Sequence, residues 1–169
     1  TKSIFEDGFV RITGSFAEVE ALLKINATFI AVDGTYRIRE KQYTGPDYIK
    51  KIKKMYPKIL VMADIATSQE AFACYEAGAD CISTTLCGYT PDTVFVNQEY
   101  PSFSLLEECI RFVPRDFPIM AEGRFNKPEY AAQAIENGAW AVIVGTSITR
   151  PQIITRWYVN AIKKKVGQI

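Results

Sequence analysis

The stretch AIENGAWAVIVGTSITRP, residues 134–151, decides the fold. It reads as the end of a helix, an Asn-Gly break, a short apolar strand and a polar turn. The same order recurs in LLKINATFIAVDGT (22–35) and CYEAGADCISTT (74–85). Apolar runs at 28–32, 59–63, 80–83, 118–121 and 141–145 are short and rich in β-branched residues. They are apolar at successive positions, as in parallel strands buried on both faces. Helical patterns at 15–24, 47–55, 68–76, 103–113, 128–137 and 152–165 alternate with them. The first opens on Ser15 with Glu18 three residues on, a capping box. Strand starts 21 to 38 residues apart are the spacing of βα units, which imply right-handed crossovers and a parallel sheet.

Two architectures use such units, an open doubly wound sheet and a (β/α)8 barrel. The polar residues discriminate. They fall just past each strand: Asp33 and Thr35; Asp64 and Thr67; Thr84, Thr85 and Thr90; Glu122 and Arg124; Thr146, Ser147 and Arg150. A barrel gathers such residues in a ring at one mouth, whereas an open sheet concentrates them at one switch point. The ring pattern favours an α/β fold of the (β/α)8 TIM-barrel kind, while the count does not: about five C-terminal βα units are present where a barrel needs eight. Residues 1–169 are then a single barrel domain, N-terminally incomplete, with about 60 further residues expected upstream.

Composition narrows the chemistry. The 169 residues are 48% hydrophobic and 23% charged, ordinary globular values. Twenty basic against nineteen acidic residues leave a net charge of +1, which removes the usual basis for nucleic-acid or anionic-membrane binding. There is no histidine. Ser-His-Asp, Cys-His and His-ligated metal sites are therefore excluded, and proton transfer near neutral pH falls to Lys, Glu, Asp, Cys or Tyr. Cys74, Cys81, Cys87 and Cys109 form no C-x-x-C pair and read as free thiols in a reducing cytoplasm. No run approaches the ~20 apolar residues of a membrane span, and TKSIFEDGFV lacks the apolar core of a signal peptide.

Two motifs carry candidate chemistry. In VGTSITRP (144–151), Gly145 allows close backbone approach, Thr146 and Ser147 offer donors at a helix start, and Arg150 adds a charged contact. Together they form a phosphate cradle. The bland reading is a capped strand-to-helix turn. In AEGRFNKP (121–128), Glu122 ends a strand and would point into the barrel mouth as an acid or base, with Gly123 giving room. The alternative is a structural Glu122–Arg124 ion pair. Asp64 in VMADIAT and Asp33 in AVDGTYR sit in equivalent places, where loop bonding competes with function. TTLCGYT (84–90) suits hydroxyl recognition of a sugar.

Taken together, MAD, STTLCGYT, AEGRFNKP and VGTSITRP, in that order, resemble the N-acetylmannosamine-6-phosphate 2-epimerase family. The likeness runs from VRITGSFAEVEALL through the last helix. It implies a phosphate-binding (β/α)8 barrel, usually dimeric, that interconverts the 6-phosphates of N-acetylmannosamine and N-acetylglucosamine in sialic-acid breakdown. It also implies no organic cofactor and no metal, a phosphorylated N-acetylhexosamine as the partner, and a homodimer. By the same resemblance Glu122 and a strand-ending lysine, matched by Lys2 nine residues before Arg11, move the C2 proton. Asp64 positions or polarises the substrate. The Gly145–Ser147 backbone and Arg150 bind phosphate, and Arg124 braces the site.

The departures set further expectations. The family's first three strands have no counterpart, Lys2 hangs on a terminus, and Cys87 and Ala66 stand where the family has serine. Two other readings stay open: another barrel isomerase of ribulose-phosphate type, and a truncated, non-catalytic phosphosugar-binding remnant.

Overall fold

A computed structural model of the chain describes residues 1–5, 7–96 and 99–167. Five parallel strands, β3 (Phe29–Asp33), β4 (Leu60–Asp64), β5 (Cys81–Ser83), β6 (Ile119–Glu122) and β7 (Ala141–Ile143), form one sheet in chain order. Helices α1 (Phe16–Lys24), α2 (Gly45–Met55), α3 (Ser68–Glu76), α4 (Phe103–Phe112) and α5 (Pro128–Glu136) alternate with them. The short α6 (Thr146–Thr149) and the longer α7 (Pro151–Val166) follow β7. The result is an open run of βα units of the barrel kind, and every strand anticipated from the apolar runs is present.

Side chains two apart on a strand share a face. One face of the sheet, with Ile30, Val32, Val61, Ala63, Ile82, Ile119 and Ala121, is buried beneath Tyr48, Ile49, Ile52, Ala71, Cys74, Leu105, Leu106 and Ala134 of the helices. Each fully buried Val, Ile or Leu contributes about 1.5–3 kcal/mol of transfer free energy before entropy is counted. The opposite face carries the chemistry. At its lower end Phe29 and Leu60 are each 46% exposed, and at its upper end stand Asp33, Asp64, Ser83 and Glu122.

The helices start where capping side chains place them. Ser15 accepts from the Glu18 N–H at 3.3 Å while the Glu18 carboxylate accepts from the Ser15 N–H at 3.1 Å, the capping box expected from the sequence. Thr44 with Asp47 and Thr67 with Glu70 repeat it on α2 and α3. Each such cap is worth about 0.5–2 kcal/mol.

Two features differ from the sequence reading. First, Asp33, Asp64 and Glu122 do not lie beyond their strands; each is the last residue of its ladder. The Gly34 N–H donates to the Asp64 carbonyl and the Ile65 N–H to the Ser83 carbonyl, both at 2.8 Å, so backbone pairing runs through the acidic row. Second, residues before α1 are not a loop. β1 (Lys2–Ile4) pairs antiparallel with β2 (Val10–Ile12), with Lys2 opposite Ile12. Lys2 is thus held in a ribbon rather than hanging free, and Ser3 Oγ ties the ribbon to α1 by donating to Glu18 at 3.2 Å.

The loop after β3 is pressed against the start of α2. The Gly45 N–H donates to the Thr35 carbonyl at 2.8 Å. A Cβ on Gly45 would lie 2.3 Å from the Gly34 carbonyl carbon and 2.6 Å from the Thr35 oxygen. Both obstacles are backbone and cannot rotate away. Gly45→Ala is expected to destabilise the fold by about 1–3 kcal/mol, visible as a lower Tm in a thermal melt, whereas an unchanged Tm would show that the two loops can separate.

Candidate active site

A cavity of about 620 Å³ opens at the C-terminal ends of β5, β6 and β7. That volume suits a drug-sized or sugar-phosphate ligand. Lys2, Glu122, Gly123, Arg124, Gly145, Thr146, Ser147 and Arg150 all line it, so the structure gathers into one hollow residues that lie far apart in the chain. Of the residues to which the resemblance gives a role, Asp64 is absent from the wall; it is buried in the ladder row.

Glu122 is held twice. Its N–H donates to Thr84 Oγ1 at 3.0 Å, and the same hydroxyl donates to the Glu122 carbonyl at 2.9 Å. Its carboxylate Oε2 accepts from Ser83 Oγ at 2.8 Å. Immediately after it the chain turns through two left-handed residues, Gly123 (φ 103°) and Arg124 (φ 62°). A non-glycine residue there costs conformational energy, and such strain collects where side-chain direction matters. The turn sends Arg124 away from Glu122. Its Nη1 donates to the Cys87 carbonyl at 2.9 Å, its Nε to the Tyr100 carbonyl at 3.1 Å, and its guanidinium lies over the Tyr89 ring at 5.4 Å. Arg124 therefore fastens the loops that form the cavity rim.

The other end of the cavity is the start of α6. Ile148 and Thr149 N–H groups make the first intrahelical bonds, to the Gly145 carbonyl at 2.9 and 3.0 Å. The Thr146 and Ser147 N–H groups precede them, as at every helix start. A Cβ on Gly145 would meet no atom within 4 Å, so the absent side chain leaves room on the cavity side. The Ser147 hydroxyl, expected as a ligand donor, instead donates to the Phe125 carbonyl at 2.9 Å and ties α6 to the Glu122 loop. What this turn offers an anion is chiefly its backbone, with Arg150 beside it.

Some anticipated residues are occupied elsewhere. Asp33 accepts from Thr35 Oγ1 at 2.7 Å and pairs with Arg37 at 2.5 Å and Arg39 at 3.4 Å. It organises its own loop. Within TTLCGYT, Thr84 serves the Glu122 backbone and Thr90 Oγ1 bonds Thr93 Oγ1 at 2.8 Å, leaving Thr85 as the threonine of that motif on the cavity wall. Sequence reading passed over Ser83, which looked like one more strand residue. It also passed over Asn126, Tyr89 and Trp157, which line the cavity. Asn126 sits inside the AEGRFNKP motif and could have been marked there; Trp157, on α7, carried no signal. All four cysteines are buried and free; burial pushes the Cys81 and Cys109 thiols up to about 12 and raises Cys74 as well, so these three are not primed as nucleophiles.

Asp64 is electrostatically unusual. Burial raises its carboxyl well above the ordinary value of 3.8, and the nearby Glu122 and Asp33 charges add to this, while Ser83 and Lys2 act in the opposite direction. Its Oδ1 is buried without a hydrogen-bond partner in the structure. An orphan buried oxygen disfavours the anion, and a neutral carboxyl can donate a hydrogen bond.

The family profile described as "Putative N-acetylmannosamine-6-phosphate epimerase" matches residues 1–164. Among curated relatives, a protein of Caldanaerobacter subterraneus named "Putative N-acetylmannosamine-6-phosphate 2-epimerase" is 44% identical over 154 residues, 91% of this chain and 63% of the relative. One of the same name from Clostridioides difficile is 40% identical over 162 residues, 96% of this chain and 70% of the relative. The structure superimposes on the N-acetylmannosamine-6-phosphate 2-epimerase from Clostridium perfringens with a TM-score of 0.80 at 37% identity, covering 95% of this chain and 65% of that one. The chain thus spans under two thirds of the length of several proteins it matches.

The raised Asp64 carboxyl has a sign that can be measured. The folded state keeps this proton to higher pH than the unfolded chain does. Stability from this group is therefore greatest in acid and falls as pH rises above the ordinary aspartate value of 3.8. In Asp64→Asn that titration is gone. The Tm of the variant minus that of the wild type is expected to grow between pH 4 and pH 8; a difference that is flat across this range would mean Asp64 ionises in the fold as it does in water.

Proposed function

Because this chain belongs to the N-acetylmannosamine-6-phosphate epimerase family, we propose that its cavity binds N-acetylmannosamine 6-phosphate and N-acetylglucosamine 6-phosphate and interconverts them at C2, a step of amino-sugar breakdown. The observation that carries this reading is the shared cavity: a lysine, a carboxylate, a helix start and an arginine on one wall. In the open-chain sugar, C2–H lies next to the C1 aldehyde and is acidic. One of Lys2 and Glu122 removes the proton, the electron pair moves into a C1–C2 enolate, and the other group returns a proton to the opposite face. Each base must then regain its starting protonation state.

The remaining residues fit around that step. The α6 backbone and Arg150 take the phosphate, whose charge suits N–H donors and a guanidinium. Asp64, buried beside Ser83 and biased to its neutral form, is read as positioning or polarising the substrate from behind the cavity wall. Arg124 keeps the rim loops together. No organic cofactor or metal enters the chemistry. We read residues 1–169 as one barrel domain contributing the C-terminal units. We take the working protein as a homodimer in the cytoplasm, a compartment that suits four buried free thiols.

A second reading is favoured by one observation: among the described residues the sheet has five strands, with β3 and β7 as its edges. A cavity open on that side could bind a phosphosugar without turning it over. Proton NMR of N-acetylmannosamine 6-phosphate in deuterated water separates the two. The epimerase reading expects loss of the C2–H signal with appearance of the gluco epimer, and expects Glu122→Gln to abolish both while phosphosugar affinity stays within about tenfold. Binding without exchange would leave the second reading standing.

A further inference from the structure

Behind Glu122 lies a chain of hydroxyls that the reaction as written above does not use. Ser83 is fully buried, at 0% exposure. Its Oγ lies 2.8 Å from Glu122 Oε2 and 2.6 Å from Thr85 Oγ1. Thr85 lines the cavity. Each hydroxyl has one proton to give and lone pairs to accept with. An ionised carboxylate only accepts, so with Glu122 charged the Ser83 proton points to Oε2 and the Thr85 proton points to Ser83. Thr85 then shows the cavity a lone pair. With a proton on Oε2 the order reverses: Glu122 donates to Ser83, Ser83 donates to Thr85, and the Thr85 proton turns outward. Thr84 keeps the backbone of Glu122 still throughout, so the reversal moves protons rather than heavy atoms.

We propose that Ser83 and Thr85 are positioning residues for Glu122: a two-hydroxyl relay that fixes one oxygen of its carboxylate and carries that group's protonation state to the cavity wall. The relay also gives Glu122 a route back to its starting state. A proton on Oε2 passes to Ser83 Oγ as the Ser83 proton passes to Thr85 Oγ1 and the Thr85 proton passes to water in the cavity. The carboxylate is regenerated and the water becomes hydronium. The part of this inference that concerns turnover rests on the epimerase reading; the hydrogen-bonded order of the three side chains does not.

The test uses Ser83→Ala, Thr85→Val and Thr85→Ser in the full chain, with kcat and KM measured separately. Ser83→Ala is expected to lower kcat about 10- to 100-fold while KM stays within about threefold. Thr85→Val, matched in shape but lacking the hydroxyl, lowers kcat in the same way, and Thr85→Ser restores it. Wild-type kcat in both Ser83→Ala and Thr85→Val overturns the relay. Should the wild-type chain show no C2–H exchange, only the epimerase reading fails, and the relay is judged by carbon NMR. The Glu122 carboxyl resonance, assigned by its loss in Glu122→Gln, is expected to move in Ser83→Ala and Thr85→Val and to return in Thr85→Ser. A resonance unmoved in both deletions overturns the relay. If Ser83→Ala does not fold, the Thr85 pair decides by the same readouts.

Discussion

Three carboxylates crowd the upper end of one face of a small parallel sheet. Asp33 is paired in register with Asp64, Asp64 with Ser83, and Glu122 stands on the next strand. Like charges this close repel, and in a partly buried setting water screens them poorly. The structure relieves that repulsion in three different ways. Asp33 is neutralised by Arg37 and Arg39. Asp64 is buried and biased toward its proton. Glu122 keeps access to the cavity, where its carboxylate accepts from Ser83 and its backbone is held by Thr84. One carboxylate is paired, one is biased toward its proton, and one is held by a hydroxyl at the cavity.

The same row explains the loops. Because Asp33, Asp64 and Glu122 end their ladders rather than follow them, each side chain inherits the rigidity of a strand while each following residue is released to turn. After β6 the release is abrupt, with Gly123 and Arg124 both left-handed. That turn throws Arg124 across to the carbonyls of Cys87 and Tyr100 and brings the Phe125 carbonyl to Ser147. The Glu122 end and the α6 end of the cavity are thereby joined by a single loop. Loops built this way carry function because a stiff scaffold aims them.

Membership of the epimerase family and the superposition on a solved relative agree with a site assembled from these units. A helix start open to the cavity, an arginine beside it and a carboxylate on the neighbouring strand are what a phosphorylated, enolisable sugar requires. Among the described residues β3 and β7 are the edges of the sheet, and Phe29 and Leu60, on the face that carries Asp33 and Asp64, are each 46% exposed.

Much of this was legible in the chain itself. Strand and helix positions followed from apolar periodicity and, for the first helix, from the Ser15 cap, because those signals are local and act within one turn. Glu122, Gly145 and Arg150 could be picked out because strand ends and helix starts expose their groups by construction. What periodicity could not say was which polar residues would spend their hydrogen bonds on one another. Asp33 and Asp64 look alike in sequence, yet arginines from one loop claim the first and leave the second buried. Thr84 and Thr85 are neighbours, yet alternation along the chain sends one to the Glu122 backbone and the other to the cavity. Lys2 reached the site through a ribbon that the sequence had not announced. Partner choice among polar groups depends on distances between elements far apart in the chain, and those exist only once the sheet is assembled.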